Sequence, residues 1–345
     1  MTAIDAVGRR RAPEILKSVR VLIDTEYRTV VKSLPESLCR IGGYNIGWWD
    51  ASGTPTAESG KYLRPALAIL SSAAMSDGSI DLVRDRAIAA AVAVELVHNF
   101  TQLHDDIMDN DRIRRHRTSA WAQFGVGPAI LAGDLFLFAA TEVLSPYDHV
   151  VMEILGATLR ELCEGQMADL SFEQRHMVSL DECFRMSEGK TAALLGAACE
   201  LGAWAAGVDA QRRAFMRKFG WEVGRSCQLV DDLLGIFGDP EVTGKPVYAD
   251  LIRRKKSLPV VAALNSDTAA GMELRQIYAS SRQLKRAELA HVARLIENAG
   301  GRRWAEDMAR ETRGAAGTFL ASADPTEEAA ADLLILADFI MGRDH

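Results

Sequence analysis

Apolar residues recur at steps of three and four along most of the chain, which is the spacing that places them on one face of a helix. The first such segment follows Pro13, a residue favoured in the first turn of a helix, and Pro35 closes it. The final helix is predicted to have Asp324 as its N-cap, Pro325 at its first position and Glu327 three residues after the cap. Between them the pattern predicts helices over residues 85–109, 129–145, 150–170, 190–205, 211–237, 256–265 and 286–299.

One segment departs from this period and predicts a loop. Residues 39–60 contain closely spaced glycines and Pro55, which are typical turn residues. The chain shows no alternating strand pattern with flanking turns, no low-complexity tract and no short repeat. We therefore predict an all-α fold, with one domain over residues 1–345 whose helices surround a central active-site cavity. Residues 1–12 are a candidate disordered segment.

Charge and cysteine content narrow the class of protein. The formal net charge is −7, from 40 basic and 47 acidic side chains, and nucleic-acid binding would need a basic stripe that this balance disfavours. The five cysteines are scattered without metal-like spacing, which is typical of reduced thiols. No secretory signal is recognised, and no uninterrupted run reaches the about 18 apolar residues of a membrane span. We expect a cytoplasmic protein with no nucleic-acid partner and no membrane span.

Residues 98–117 carry a first acidic cluster, which consists of Asp105, Asp106 and Asp109. At the helical period His98, Asp105 and Asp109 share one stripe, and the last two are one turn apart. Both carboxylates could therefore reach one cation or a close pair of cations. Hard oxygen ligands suit Mg²⁺, which keeps waters and takes further ligands from substrate phosphates. The alternative is a solvated acidic helix face.

The second acidic cluster, Asp231 and Asp232, follows an apolar stretch, with Gln228 one turn earlier. Carboxylates within an apolar run are poor candidates for a solvated face, and a buried one needs a cation or a hydrogen-bonding partner. Two such clusters in one helical chain favour metal binding over the solvated face.

Basic residues flank both clusters. Each alone is more typical of a surface charge. Together they could bind one substrate diphosphate while metal ions bind the other. They are Lys61, Arg64, Arg114, Arg115, Lys190, Lys245, Lys255 and Lys256.

Six blocks of the sequence, taken in order, resemble the trans-isoprenyl diphosphate synthases from the glycine-rich loop to about residue 260. Any one block is weak, and the ordered set is highly specific. The resemblance implies condensation of isopentenyl diphosphate with allylic diphosphates by a homodimer with three Mg²⁺ ions in each active site. The blocks are GKYLRP, HNFTQLHDDIMD with RR after it, EGQMADLSFE, GKTAALL, QLVDDLLGIFGD and GKPVYADLIRRKKSLP.

The resemblance also implies roles for individual residues. Asp105 and Asp109 would hold two ions on the allylic diphosphate with Asp106 in support, and Asp231 would hold the third with Asp232 nearby. The positions implied for isopentenyl diphosphate are Lys61, Arg64, His98 and Arg115. The positions implied for the allylic substrate or its diphosphate are Arg114, Lys190, Thr191, Gln228, Lys245 and Lys255. Lys190 joins the five aspartates as a predicted catalytic residue.

Some positions depart from the family pattern. Gly235 stands where the third aspartate of the second motif is usual, and Gly238 and Pro240 indicate that the helix ends before Asp239 could replace it. Tyr62 stands at a position that is commonly basic, and Tyr248 where glycine is common. Thr118 and Ser119 replace the usual Pro-Thr pair. None of these changes removes a matched charged ligand, so we expect metal binding to be retained.

The family's chain-length positions lie four and five residues before the first aspartate, and here they are Thr101 and Phe100. A bulky Phe100 implies a shallow tunnel and a short product, so Phe100→Ala should lengthen the products. The alternative is that Phe100 is a core residue.

Four functions therefore remain open. We favour a geranylgeranyl diphosphate synthase, with a farnesyl diphosphate synthase as the nearest alternative. A terpene cyclase or atypical prenyltransferase on the same scaffold would have no use for the retained Lys61, Arg64, His98 and Arg115. A non-catalytic partner subunit would be expected to lose metal ligands, and this chain keeps both Asp pairs.

Overall fold

The computed structural model describes residues 10–56, 60–76, 83–239, 247–280 and 284–342, and these are mostly helical. The predicted all-α class is confirmed. The chain divides into two compact units, which are described separately here. Unit 1 comprises Met1–Leu155, Ala197–Arg217 and Phe319–Phe339, and unit 2 comprises Gly156–Gly196, Lys218–Thr318 and Ile340–His345. The single domain over residues 1–345 stays a prediction.

Sixteen α-helices and one π-helical turn make up most of the described part of the chain. In chain order they are α1 (Ala12–Lys32), α2 (Glu36–Ile46), α3 (Leu63–Met75), α4 (Arg84–Met108), α5 (Ala120–Phe124), α6 (Val126–Leu144), α7 (His149–Gln174), α8 (Leu180–Ser187), a π-helical turn (Glu188–Ala192), α9 (Ala193–Ala205), α10 (Ala210–Phe237), α11 (Ala249–Ile252), α12 (Leu258–Leu264), α13 (Ala269–Ala279), α14 (Arg286–Asn298), α15 (Gly301–Ser322) and α16 (Glu327–Met341).

The predicted helices agree with these bounds to within a few residues. Seven helices were not predicted, namely α2, α3, α5, α8, α11, α13 and α15. A short hairpin was also missed, because its two strands are too short to show alternation. β1 (Ile113–Arg114) and β2 (Arg117–Thr118) pair antiparallel, and the turn between them places Arg115 and His116 at positive φ angles of 51° and 61°.

The loop predicted over residues 39–60 is wrong for its first part, where α2 continues to Ile46. The two glycines that suggested a loop are close-packing positions inside this helix. A Cβ atom on Gly42 would lie 2.6 Å from Cζ of Phe136, and one on Gly43 would overlap the Trp49 ring. Glycine is used here for close approach, which outweighs its low helix propensity.

The predicted start of the last helix is also wrong. Helix α16 begins at Glu327, and Asp324 adopts a left-handed conformation with φ of 53°. Its backbone is held by a partner remote in sequence: Nη2 of Arg212 donates to the Asp324 carbonyl oxygen at 2.6 Å. The Thr326 backbone N–H donates to the Ala74 carbonyl oxygen at 2.9 Å. These tertiary contacts delay the helix beyond the local capping signal.

Helices α4 and α6 form the centre of unit 1. Alanine and valine fill the buried face of α4, and Ala132, Gly133 and Phe136 are buried on α6. In unit 2, α10 is anchored by Leu229, which packs in one apolar cluster, and by Ile236, which packs in another. Each acidic cluster therefore lies on a helix that packs into the apolar core of its own unit.

Helix α6 also has an exposed apolar face. Among the described residues it is the helix long and apolar enough to cross a membrane. One side is buried in unit 1, whereas Leu131 and Phe138 on the other side are 55% and 65% exposed. A helix packed on one side and apolar on the other is typical of a subunit interface. The absence of a membrane span stays a prediction.

Candidate active site

The first acidic cluster lies where α4 ends. Helix α4 runs to Met108, and Asp109 is its C-cap, whose N–H donates to the Asp105 carbonyl oxygen at 2.8 Å. Both side chains are partly exposed. The C-terminal end of a helix carries the negative end of the macrodipole, which favours a cation. The last turn of α4 thus presents two carboxylates where the backbone also attracts positive charge.

Asp106 is the buried member of the first cluster, with its side chain only 1% exposed. Nε of Arg114 donates to its Oδ1 at 2.8 Å, and the same guanidinium lies within 4.0 Å of Asp105 and 3.7 Å of Asp111. Burial raises the pKa of the Asp106 carboxyl, and the charge of Arg114 offsets part of that rise. Asp106 therefore anchors Arg114, and the allylic contact implied for Arg114 stays a prediction.

Three of the residues implied to hold isopentenyl diphosphate interact electrostatically in unit 1. The positive charges of Arg64 and Arg115 both act on His98. The Arg115 guanidinium also lies beside the glycine-rich loop, since a Cβ atom on Gly60 would be 3.4 Å from its Nη1. Lys61 next to Gly60 is exposed. These residues form what we call the basic pocket: Lys61, Arg64, His98 and Arg115.

Glu95 belongs to this region and was missed by the sequence reasoning. It is 4% exposed on α4, one turn before His98. Burial raises the pKa of its carboxyl, and the charges of Arg64 and Arg115 act in the opposite direction. A glutamate inside the apolar stretch AVAVELV is the signal that could have identified it, because a buried carboxylate requires partners. Glu95 is therefore a buried acidic group that interacts electrostatically with both arginines.

His98 is a neutral group in this pocket. Burial lowers the pKa of its imidazole well below the ordinary range, and the charges of Arg64, Arg115 and Arg114 lower it further. At neutral pH the ring therefore contributes hydrogen bonding and not charge.

We expect His98→Gln to retain most of the affinity for a diphosphate in the basic pocket, because Gln keeps a neutral side chain that can donate. His98→Lys should weaken the fold, since it buries a further cation beside two arginines. The steady-state KM of each variant measures the affinity, and thermal unfolding measures the stability of the fold. Equal loss of affinity in the two variants would contradict the neutral role.

The second acidic cluster repeats the division seen in the first. Asp232 is buried, and both its oxygens accept hydrogen bonds: Oδ1 from Nε2 of Gln228 at 2.7 Å and Oδ2 from the Leu258 N–H at 2.8 Å. Thr191 Oγ1 donates to Oε1 of Gln228 at 2.6 Å. Burial raises the pKa of Asp232 to about 6, while the charge of Lys255 lowers it. Asp232 thus holds Gln228 and the Leu258 backbone in place. A buried carboxylate was expected to need partners, and hydrogen bonds supply them here.

Asp231, in contrast, is exposed. In both pairs the first aspartate is the more exposed one and the second is buried and hydrogen-bonded, which is the arrangement needed for one ligand and one support. The substrate contacts implied for Thr191 and Gln228 stay predictions.

The position of the missing aspartate is filled from another helix. A Cβ atom on the buried Gly235 would lie 2.6 Å from Cγ of Asp250. The Asp250 carboxylate therefore occupies the space that a side chain at position 235 would need. Its charge also raises the pKa of Asp232, so it belongs to this acidic region. The sequence reasoning did not select Asp250, because it follows the second motif by more than ten residues and its proximity depends on the fold.

Lys190 is placed by an irregular stretch of helix. It lies in the π-helical turn Glu188–Ala192, and Nζ donates to Oδ2 of Asp169 at 2.7 Å. Gly165 and Gly189 let the backbones of α7 and this turn touch, since a Cβ on Gly189 would be 2.7 Å from the Glu161 carbonyl oxygen. π-turns frequently occur at functional sites. Asp169, within the block EGQMADL, is a further residue that the site prediction omitted.

The remaining residues singled out from the sequence are Tyr62, Lys245 and the two chain-length positions. Lys245 lies outside the described residues. Thr101 Oγ1 donates to the His98 carbonyl oxygen at 2.9 Å, and Phe100 is half-buried with its ring against His104. Tyr62 is buried and accepts a hydrogen bond from Trp48 Nε1 at 3.4 Å. Tyr62 is therefore a core residue.

The carboxylates of the two acidic clusters are oxygen donors of the kind that Mg²⁺ binds. Within the described ranges, no three His, Cys, Asp or Glu side chains are grouped closely enough to form a cage. Mg²⁺ is usually held by one or two carboxylates, with waters and substrate phosphates completing the octahedron. Asp106 Oδ2 is buried without a hydrogen-bond partner in the described part of the chain, which adds an unsatisfied oxygen beside Asp105. The donor set suits an ion that arrives with a diphosphate.

Comparison with known proteins identifies the family of this chain. The chain is 42% identical to a (2E,6E)-farnesyl diphosphate synthase of Mycobacterium bovis, over 98% of this chain and 95% of that protein. It is 41% identical to a geranylgeranyl diphosphate synthase of Mycobacterium tuberculosis, over 91% and 89%. The crystal structure of a polyprenyl synthetase from Streptomyces coelicolor A3(2) superposes with a TM-score of 0.89 at 39% identity, covering 94% of this chain and 98% of that one. The polyprenyl synthetase family model matches residues 50–296, and the chain belongs to this family.

Proposed function

We propose that the protein is a Mg²⁺-dependent trans-prenyltransferase that condenses isopentenyl diphosphate with an allylic diphosphate to a short-chain product. The observation that carries the proposal is the repeated pairing of a more exposed aspartate with a buried, hydrogen-bonded one. The two pairs lie on two helices of a chain that also has the basic pocket. Relatives named for farnesyl and geranylgeranyl products are almost equally similar. Geranylgeranyl diphosphate is the product we favour, with farnesyl diphosphate as the alternative.

The chain's residues have distinct tasks in this reaction. Lys61, Arg64 and Arg115 bind the diphosphate of the homoallylic substrate, and neutral His98 donates a hydrogen bond to it. Asp105 and Asp109 in unit 1 and Asp231 in unit 2 would hold the metal, and the family resemblance implies three ions. Mg²⁺ would supply Lewis-acid stabilisation of the diphosphate leaving group.

Bond changes in the reaction need no side-chain nucleophile. The allylic C–O bond breaks and a C–C bond forms with the isopentenyl double bond. The released diphosphate then takes up a proton from the resulting cation, which restores an allylic double bond. Negative charge develops on the departing diphosphate, where Lys190 and the second acidic cluster's neighbour Lys255 stabilise it. Asp106 and Asp232 hold Arg114 and Gln228 in position during these steps.

Product analysis of the purified chain tests the proposal. Isopentenyl diphosphate is supplied with dimethylallyl, geranyl or farnesyl diphosphate, with Mg²⁺ or with EDTA. We expect Mg²⁺-dependent prenyl diphosphates of geranylgeranyl or farnesyl length. A hydrocarbon formed from geranylgeranyl diphosphate alone would identify a cyclase, and no turnover with any primer would identify a non-catalytic subunit.

The exposed face of α6 supports a homodimer. Leu131 and Phe138 leave an apolar stripe on a helix whose other side is buried, and a second copy of the chain would cover it. A cytoplasmic location for this assembly remains part of the proposal.

We expect Phe138→Glu to convert a dimer into a monomer, because the charge would be buried without a partner. Val21→Glu is the matched control, since Val21 on α1 is similarly exposed, at 73%. Light scattering after size-exclusion chromatography measures the mass of each variant. A Phe138→Glu variant that remains dimeric would place the interface elsewhere.

A further inference from the structure

His104 is held by α6 directly beside the first acidic cluster. It precedes Asp105 on α4, and its Nε2 lies 3.1 Å from the Ile130 carbonyl oxygen. The ring fills the space above Gly133, where a Cβ atom would be 2.6 Å from Cδ2. Asp134 Oδ1 is 3.7 Å from the same nitrogen, and the side chain is only 18% exposed. A ring contacted on several sides by one neighbouring helix has little rotational freedom.

The fixed imidazole in turn contacts Phe100. The two residues are one helical turn apart, and their rings pack edge to face with centroids 4.8 Å apart and planes at 69°. Phe100 is half-buried, so contacts on its own helix matter for which rotamer it adopts. Helix α6 therefore contacts His104, and His104 in turn contacts Phe100.

We infer that His104 is a specificity-determining residue that positions Phe100, so that the pair of rings limits the length of the product. This inference rests on the proposed function. A single phenylalanine on one turn of helix can rotate away from a growing chain. A phenylalanine packed against a second ring that is itself fixed by α6 resists that displacement. His104 acts through Phe100 and needs no contact with the substrate.

The test compares product lengths from Phe100→Ala, His104→Ala and the double variant, with farnesyl diphosphate as primer and mass spectrometry as readout. We expect each single variant to add at least one isoprene unit to the main product, with the smaller shift from His104→Ala. The double variant should make products no longer than those of Phe100→Ala. The rate of the first condensation by His104→Ala should stay within about twofold of wild type, because the substitution removes no ligand.

Two substitutions at position 104 separate the ring from its polar contact. His104→Phe keeps an aromatic edge against Phe100 and should retain the wild-type product length. His104→Gln keeps a donor for the Ile130 carbonyl oxygen but lacks the ring, and should behave like His104→Ala.

Unchanged product length in His104→Ala would overturn the inference, as would additive lengthening in the double variant or an unchanged product from Phe100→Ala. Rescue by His104→Gln alone would overturn it too, because the contact to Phe100 would then be irrelevant. A wild-type chain that forms no prenyl diphosphate would refute the proposed function itself, which is a separate result in the same assay.

Discussion

Asp105→Asn is expected to lower kcat by about a thousandfold, at the upper end of what loss of one preorganised electrostatic group costs. The substitution keeps the size of the side chain and the backbone hydrogen bond from Asp109 to the Asp105 carbonyl oxygen. It removes one of two partly exposed carboxylates at the last turn of α4. The ion would then be held more weakly, so the Mg²⁺ concentration needed for half-maximal rate should also rise. Steady-state kinetics over a Mg²⁺ series measures both effects.

Two neighbouring carboxylates serve as controls for Asp105→Asn. Asp111 also lies near Arg114, at 3.7 Å, but is not a proposed ligand, so Asp111→Asn should leave kcat within a few-fold of wild type. Asp106→Asn should chiefly lower stability, by about 2 kcal/mol, because a charge-assisted hydrogen bond to Arg114 is lost in a buried place. Equal loss of activity in Asp105→Asn and Asp111→Asn would show that the cluster acts through net charge and not through ligation.

Local sequence patterns were sufficient to predict most of the longer helices and the positions of the proposed ligands along them. The stripe that places Asp105 and Asp109 one turn apart follows from the helical period alone, and it persists to the end of α4. The same local reasoning failed at Gly42, Gly43 and Asp324, where tertiary contacts decide the backbone. Phe136 and Trp49 require the two glycines inside a helix, and Arg212 holds the chain at Asp324 in a non-helical turn.

The contacts made by the buried aspartates could not be predicted from the helical pattern, because they join segments that are distant in sequence. Asp231 and Asp232 are adjacent and chemically identical, yet one is exposed and the other accepts an N–H from Leu258. Only the packing of α12 against α10 distinguishes them. Glu95 is different, since a charged residue in an apolar run is visible in the sequence and marks a place where burial must be compensated.

Gly235→Asp, which supplies the aspartate that is usual at that position, is expected to lower activity by about tenfold or more, the equivalent of roughly 1.4 kcal/mol in the barrier. The new Cβ would lie 2.6 Å from Cγ of Asp250, so the existing carboxylate must move. Two carboxylates would then share a space that now holds one, beside the buried Asp232, and like charges at this distance oppose ionisation. Weaker Mg²⁺ activation and a lower kcat should appear together.

A set of companion variants separates crowding from charge at this position. Gly235→Ala adds only the Cβ and should cost less than Gly235→Asp, because the end of the Asp250 side chain can shift. Asp250→Ala should itself lower activity, since it removes the carboxylate that now fills the gap. The double variant Gly235→Asp with Asp250→Ala should recover part of the loss, because one carboxylate again occupies one space. Full activity in Gly235→Asp alone would contradict the replacement of that aspartate by Asp250, and a double variant worse than both singles would show that the two positions are independent.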